Sequence, residues 1–381
     1  MIVIYAGELL PESTTSTIFL AGPSPRKDMD RHWRDDALDY LYEIGYDGAV
    51  LVPVPRNHQW PANYDSQIEW ELRMMKLADK ILFWVDRDLV DMPAFTTNVE
   101  FGYWVRSQKI VYGRPNTAPK NKYLDALYLR DTSKAPCTSL QDTINQAVLQ
   151  VGSGAKRTGG ERYIPLYIWE LESFQNWYEN QLSVGNRLRY AEVLWVFTVG
   201  RKVFSYAIHV EMYIASEDRY KTNEFILGRT DICSCVMIYP HRSGNQILLV
   251  SEYRSPVNNA VGKVYELPGG SASITMDPIQ VIKGEIEEET GILPDEDRIE
   301  YVSSRQLMAT FSVHQSHLYV YTLTKPEYET LCKDTGIHGA DDDERCSLHM
   351  IALKDIYKYP VDYSTIGMID QAIQHIKNVK D

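Results

Sequence analysis

ELPGGSASITMDPIQVIKGEIEEETGIL, residues Glu266 to Leu293, is the stretch that decides the second half of this chain. Asp277-Pro278 predicts a helix start, with an N-cap acid and proline at the first helical position. Gly291 predicts its stop. Ile279, Ile282 and Ile286 mark a buried stripe. Four glutamates, Glu285, Glu287, Glu288 and Glu289, crowd the last turns. That is the electronegative end of a helix, and like charges three and four residues apart repel. Glu285, Glu288 and Glu289 are expected on one face. A shared divalent cation would resolve the conflict, and Mg²⁺ suits a few carboxylates plus phosphate oxygens and water. The plainer alternative is a solvated acidic face.

Working outward, SEYRSP (Ser251–Pro256) and VYELPGG (Val264–Gly270) precede this helix. Strands are also expected at Val193–Val199, Val203–Ile214, Phe225–Leu227, Cys233–Tyr239, Gln246–Val250, Leu307–Thr310 and Leu318–Leu323. A terminal helix is expected over Ser364–Val379. GADDDERC (Gly339–Cys346) is an acidic loop before an apolar run.

With Gly270, Glu285, Ile286, Glu288, Glu289, Gly291 and Ile292 in register, the segment resembles the Nudix box, Gx5Ex7REUxEExGU with U aliphatic. Two positions depart: Met276 stands for the first box glutamate, beside Asp277, and Gly284 for the box arginine. SEYRSP followed by VYELPGG resembles the strand pair before the box in the ADP-ribose pyrophosphatase branch. That resemblance implies an α+β fold with a mixed sheet and metal ligation by Glu285, Glu288, Glu289 and the Gly269 carbonyl. It implies Arg254 on substrate phosphate or base. It also implies a water-activating carboxylate in the acidic loop, Glu344, with Asp342 and Asp343 as alternatives. The expected cofactor is Mg²⁺, with Mn²⁺ as a substitute. The expected reaction is hydrolysis of a nucleoside diphosphate-linked substrate such as ADP-ribose. Cleavage of modified (d)NTPs, or a sensor that binds nucleotide without turnover, are the alternatives.

The first half alternates strand and helix. Ile18–Ala21, Ala49–Val52, Lys80–Val85 and Lys109–Tyr112 are expected strands; His32–Ile44, Asp65–Leu77 and Asn98–Arg106 are expected helices, with Asp65 as a cap. This pattern predicts a small parallel α/β sheet. TIFLAGPSPR (Thr17–Arg26), HWRDDAL, QIEWELRMMKLADKILFWV and TTNVEFGYW resemble the nucleoside 2-deoxyribosyltransferase-like family over roughly Thr17–Gln150. The resemblance implies a Rossmann-like sheet and a nucleophilic Glu100, two residues before Gly102. It implies a second carboxylate, Asp79, and substrate contacts at Gly22 and Asn98. A further family acid has no clean counterpart; Ala94 and Thr96 lie there, and Asn98 is the candidate substitute. Trp33, Trp60, Trp70, Trp84 and Trp104 could stack a base, though core is their commoner use.

The chain is long enough for two domains at 381 residues. VGSGAKRTGG, 151–160, reads as the linker, dividing 1–150 from 161–381 with a helical extension over Ile164–Tyr190. A net charge of −13 argues against a nucleic-acid polymer and leaves a small nucleotide as the expected partner. Five scattered cysteines are no disulfide framework and imply a reducing, cytoplasmic setting. No signal peptide, spanning segment or membrane partner is expected. A homodimer is the expected assembly. Cys233-Ser-Cys235 is a lone CxC, and zinc is not expected there. His314 and His317 are three apart on a strand-like run and are not expected to share a ligand.

Overall fold

A computed structural model describes residues 1–24, 31–56, 64–200, 202–272, 277–339 and 345–380. It divides into two compact units, Met1–Phe225 and Ile226–Asp381.

The first unit opens with β1 (Ile2–Tyr5), β2 (Ser13–Thr14), β3 (Thr17–Ala21), α1 (Trp33–Glu43), β4 (Ala49–Val52), α2 (Tyr64–Leu77), β5 (Lys80–Trp84), α3 (Phe95–Trp104) and β6 (Ile110–Gly113). These are followed by α4 (Lys122–Thr132), α5 (Leu140–Val151) and β7 (Arg157–Thr158). Strands β1, β4, β3, β5 and β6, in that order, form a parallel sheet. The strands are apolar on both faces, as a sheet covered on both sides requires. Phe19, Ala21, Ile81 and Phe83 pack with Met74, Phe101 and Tyr128 of α2, α3 and α4. The alternate residues Ile18, Leu20, Leu82 and Trp84 pack with Ala37, Leu41, Ile144 and Ala147 of α1 and α5. The period of two in the sequence is thus two cores, one per face.

Helix α1 begins with a capping box: the His32 backbone N–H donates to Asp35, and the His32 side chain accepts from the Arg34 backbone. Helix α2 starts at Tyr64, so Asp65 lies inside its first turn and complements the dipole instead of capping it. Helix α3 starts earlier than expected, after Ala94, which holds a left-handed φ of 58°.

The expected linker is not where the chain divides. Segment 151–160 belongs to the first unit: β7 pairs β2, Gly154 approaches the Thr15 carbonyl too closely for a Cβ, and Arg157 is 1% exposed. Glycine here serves close packing and positive φ, which composition does not distinguish from flexibility. The same unit continues through α6 (Leu166–Trp169), α7 (Glu172–Ser183), β8 (Arg187–Val199) and β9 (Lys202–Ile214), so Ile164–Tyr190 is no extension of the second unit. Strand β10 (Arg219–Arg229) carries the chain across the boundary.

The second unit contains β11 (Ile232–Tyr239), β12 (Gln246–Glu252), β13 (Val264–Glu266), β14 (Gly269–Ser271), α8 (Pro278–Thr290), β15 (Ile299–Gln306), β16 (Gln315–Thr322), α9 (Lys325–Lys333), β17 (Ser347–Ala352) and α10 (Tyr363–Lys380). The sheet is mixed: β11 and β16 are parallel, while β11–β12, β12–β17 and β15–β16 are antiparallel. One face packs Ile282 and Ile286 of α8 and the other Ile369 and Ala372 of α10. Cys233 and Cys235 point into the α8 core. Leu307–Thr310 is a turn; the strand is β15 just before it, whose Glu, Ser and Arg content and bulge at Tyr301/Ser303 hide the alternation. Among the described residues no helix is long and apolar enough to cross a membrane.

Candidate functional sites

In the first unit the carboxyl ends of β3 and β4 and the N-terminal part of α3 border an open cleft of about 370 Å³. Ligands of parallel sheets bind at this end. Gly22 forms part of the wall. Its φ is +154°, and a Cβ there would lie 2.3 Å from the Trp84 carbonyl oxygen and 2.7 Å from Trp33, so only glycine fits. Trp33 donates its indole N–H to the Pro23 carbonyl, and with Trp84 it is core. Trp104 is core as well, and Trp70 donates to the Glu8 carbonyl. Trp60 lies outside the described residues.

Among the described residues, three ionisable side chains line the cleft: Glu100 from α3, Glu71 from α2 and Arg34 from α1. Arg34 is 1% exposed and braces the loop after β3 by donating to Leu20 O (3.1 Å), Gly22 O (2.6 Å), Pro23 O (3.4 Å) and Ser24 Oγ (3.0 Å). Its charge faces Glu100 first and Glu71 second. Burial, reinforced by Glu71 and opposed by Arg34, pushes the Glu100 carboxyl up to about 7. Burial also raises Glu71, against a hydrogen bond from Gln67 and the Arg34 charge. A carboxyl poised near neutrality in a cleft, as Glu100 is, is suited to proton transfer or nucleophilic attack.

Two expected site residues are engaged elsewhere. Asp79 is 1% exposed and forms a fork with Arg157, at 2.8 and 2.6 Å. It also accepts from the Thr17 backbone and hydroxyl and from the Leu166 amide. It does not line the cleft. Its task is to tie β3, β5, β7 and α6 together. Asn98 likewise does not line the cleft; its side-chain oxygen accepts from Arg87. Glu71, which the sequence reading passed over, is the second carboxylate the structure brings to Glu100. Its local signal is weak: Gln67 and Glu71 share a helix face four residues apart.

In the second unit α8 starts and stops as expected, with Asp277 accepting from the Ile279 amide and Gly291 left-handed at the C-cap. Glu285 lies over the Gly-Gly turn, where a Cβ on Gly270 would be 1.9 Å from its Oε1. Gly269 takes part through its N–H, which donates to Glu289 Oε2 at 3.0 Å. Burial pushes the Glu289 carboxyl up to about 8, reinforced by Glu285, Glu266 and Glu252 and offset in part by the Gly269 hydrogen bond. Glu288 is exposed, so the helix directs Glu285 and Glu289 inward and Glu288 outward. Arg254 sits between Glu252 (2.9 Å) and Glu266 (3.0 Å). Gly284 faces open space. Glu344, Asp342, Asp343 and Met276 lie outside the described residues. The clustered hard oxygens suit a divalent cation, yet among the described residues no three His, Cys, Asp or Glu side chains converge as a metal group. His317 pairs with Asp231 (3.3 Å) and Ser304 (2.5 Å), and His314 bonds Ser312.

Residues 15–117 match the family described as nucleoside 2-deoxyribosyltransferase like, a stretch that contains Gly22, Arg34, Glu71 and Glu100. The first unit therefore contains a domain of that kind. No curated protein matches the chain. Among solved structures it is similar to the NUDIX domain of Shewanella oneidensis NrtR complexed with ADP ribose, at 20% identity. That alignment covers 39% of this chain and 88% of that one with a TM-score of 0.29, too low for the likeness to bear weight.

Proposed function

We propose that this chain is a nucleotide-metabolising enzyme whose first unit cleaves an N-glycosidic bond, with Glu100 as nucleophile. The observation that carries the reading is the placement of Glu100 in the cleft beside a second carboxylate and a buried guanidinium. Arg34 favours the ionised Glu100 needed for attack on the anomeric carbon. Partial burial keeps that carboxylate poorly solvated and reactive. The base departs through an oxocarbenium-like transition state, as in retaining glycosidases. The test is release of free base from purine and pyrimidine nucleosides and their 5′-monophosphates, with Glu100→Gln as the control. Wild-type protein that frees no base from any of them overturns the reading.

The second unit is read as a Nudix-type pyrophosphohydrolase for a nucleoside diphosphate-linked substrate such as ADP-ribose. The specific observation in its favour is the inward pair Glu285 and Glu289 over the Gly269-Gly270 turn. These two would hold Mg²⁺ or Mn²⁺, which when bound supplies charge neutralisation and a water of lowered pKa. Gly269 orients Glu289, and Arg254 stands ready to exchange a glutamate for substrate phosphate. Phosphate-product release from ADP-ribose, NAD, dinucleoside polyphosphates and (d)NTPs, compared between wild type and Glu289→Gln, tests it. Binding without turnover would make this unit a nucleotide sensor.

A further inference from the structure

We propose that the first unit holds a second nucleotide site, for a nucleoside 5′-monophosphate, at the opposite end of its parallel sheet from the cleft. A cavity of about 270 Å³ lies there, walled by the C-terminal ends of α2 and α3, the residues leading into β6 and the middle of β8. It shares no lining residue with the cleft. The site does not depend on the chemistry assigned to Glu100.

Two kinds of group meet in this cavity. The first is cationic. Among the described residues, Lys76, Arg106 and Lys109 line it against one carboxylate, Glu192, in a chain of net charge −13. Arg106 is open to a ligand: its side chain is 76% exposed and reaches Asp131 at 3.7 Å, an acid that Arg130 already holds at 2.8 and 2.7 Å. Lys109 is buried and donates to the carbonyls of Lys76 (2.6 Å) and Met75 (3.4 Å) at the end of α2. An ammonium has three protons, so one remains for a ligand. Burial pulls Lys109 down to about 7, with Asp79 opposing and Arg157, Lys80 and Lys76 adding to the effect. An anion beside it would favour the charged form again. Lys76 donates to Glu192 at 2.7 Å and so ties α2 to β8 beside the cavity.

The second kind is aromatic. Tyr103, Trp104 and Trp195 supply ring surface, and Tyr103 and Trp195 are exposed. Trp195 is stacked on Phe197, at 6.0 Å and 7° between planes, which holds its ring in one orientation. Tyr167 donates its hydroxyl to the Ser107 carbonyl at 3.1 Å and braces the turn between α3 and β6. Rings stack on the face of any base, while guanidinium and ammonium groups suit a phosphate. The volume is at the small end for a ligand pocket, which favours a mononucleotide over a dinucleotide.

The test reads binding, not turnover, on the full-length protein. 8-Azido-AMP is photolysed with it and the labelled peptides are mapped. AMP, adenosine and inorganic phosphate are titrated calorimetrically into wild type, Arg106→Glu and Trp195→Ala. Label is expected in segments 103–109 or 192–196, and excess AMP should compete it away. Each variant should bind AMP about tenfold or more weakly, one for want of a charged contact and the other for want of stacking. Adenosine and phosphate should each bind wild type at least about tenfold more weakly than AMP. Both substituted side chains are exposed, so the variants are expected to melt as wild type does, and Trp195→Phe, which keeps a ring, should recover most of the affinity. Label confined to the segments around Gly22 and Glu100, unchanged AMP affinity in the two variants, or phosphate binding as tightly as AMP would each overturn the site. So would a lack of binding by AMP, GMP, CMP and UMP alike. Label in the cavity from a protein that releases no base removes the N-glycosidic reading and leaves this site standing.

Discussion

The two units each gather carboxylates at a site, and they differ in where the balancing charge comes from. Around Glu100 and Glu71 the chain supplies its own cation, Arg34, buried and held by four acceptors. Around Glu289 the neighbours that act on its charge are Glu285, Glu266 and Glu252, and Arg254 pairs with two of these, Glu252 and Glu266. A built-in cation makes a site ready without a metal. A site whose carboxylates outnumber the guanidinium beside them favours the protonated form of Glu289, and a bound cation would release that proton.

The comparison can be broken most directly at the nucleophile. Glu100→Gln should cut base release by roughly 10³-fold or more, while pyrophosphate-cleaving activity of the full chain stays unchanged. Loss of both would mean that the two sites are not independent. Chelation should do the reverse. EDTA is expected to abolish phosphate-product release and leave base release within about twofold, and Glu289→Gln should lower the former roughly 10–100-fold with Mg²⁺ present. Glycosidic cleavage that needs Mg²⁺ would remove the contrast.

Asp79 is another carboxylate with a cation of its own, Arg157. Arg157→Met leaves it buried without a counter-charge and should destabilise the first unit by about 3–5 kcal/mol in denaturant unfolding. A smaller effect is expected from pH. The folded Glu289 carboxyl binds its proton more tightly than the unfolded one, so the folded state loses ground as pH rises from about 4.5 through about 8. Calorimetry should show the second unit's Tm falling by roughly 5 °C over that window without metal, and Mg²⁺ or Glu289→Gln should flatten the profile. An unchanged slope in Glu289→Gln would place the titration elsewhere. The smallest effect belongs to Gly284→Ala. A Cβ there meets nothing within 4 Å, so helix propensity alone should add about 0.5–1 kcal/mol.

Much of the framework was legible because it rests on local pattern. β4 and α8 fall on their expected residues, and β3 and α1 within a residue or two, since apolar period, N-cap and C-cap glycine all lie within the segments themselves. What escaped depends on distant partners. Asp79 carries the right local signature, yet Arg157, seventy-eight positions downstream, claims it. Glu71 has no local mark separating it from a solvated helix glutamate such as Glu69; only the meeting of α1, α2 and α3 gives it a task. Glu288 sits in register in the motif but turns to solvent in the helix. The domain boundary escaped because a glycine-rich stretch reads the same whether it is loose or tightly packed.

The fork between Asp79 and Arg157 also bears on how this gene could be cut or recombined. Residues matching the transferase-like family end at 117, which invites excision of that half as a portable module. Arg157 and the Leu166 amide would be left behind, and the excised piece would keep a buried carboxylate without its counter-charge at the root of β5. The first unit's sheet could be moved between proteins intact only with the downstream segment through Leu166, so that an engineered shuffling event is expected to respect that seam.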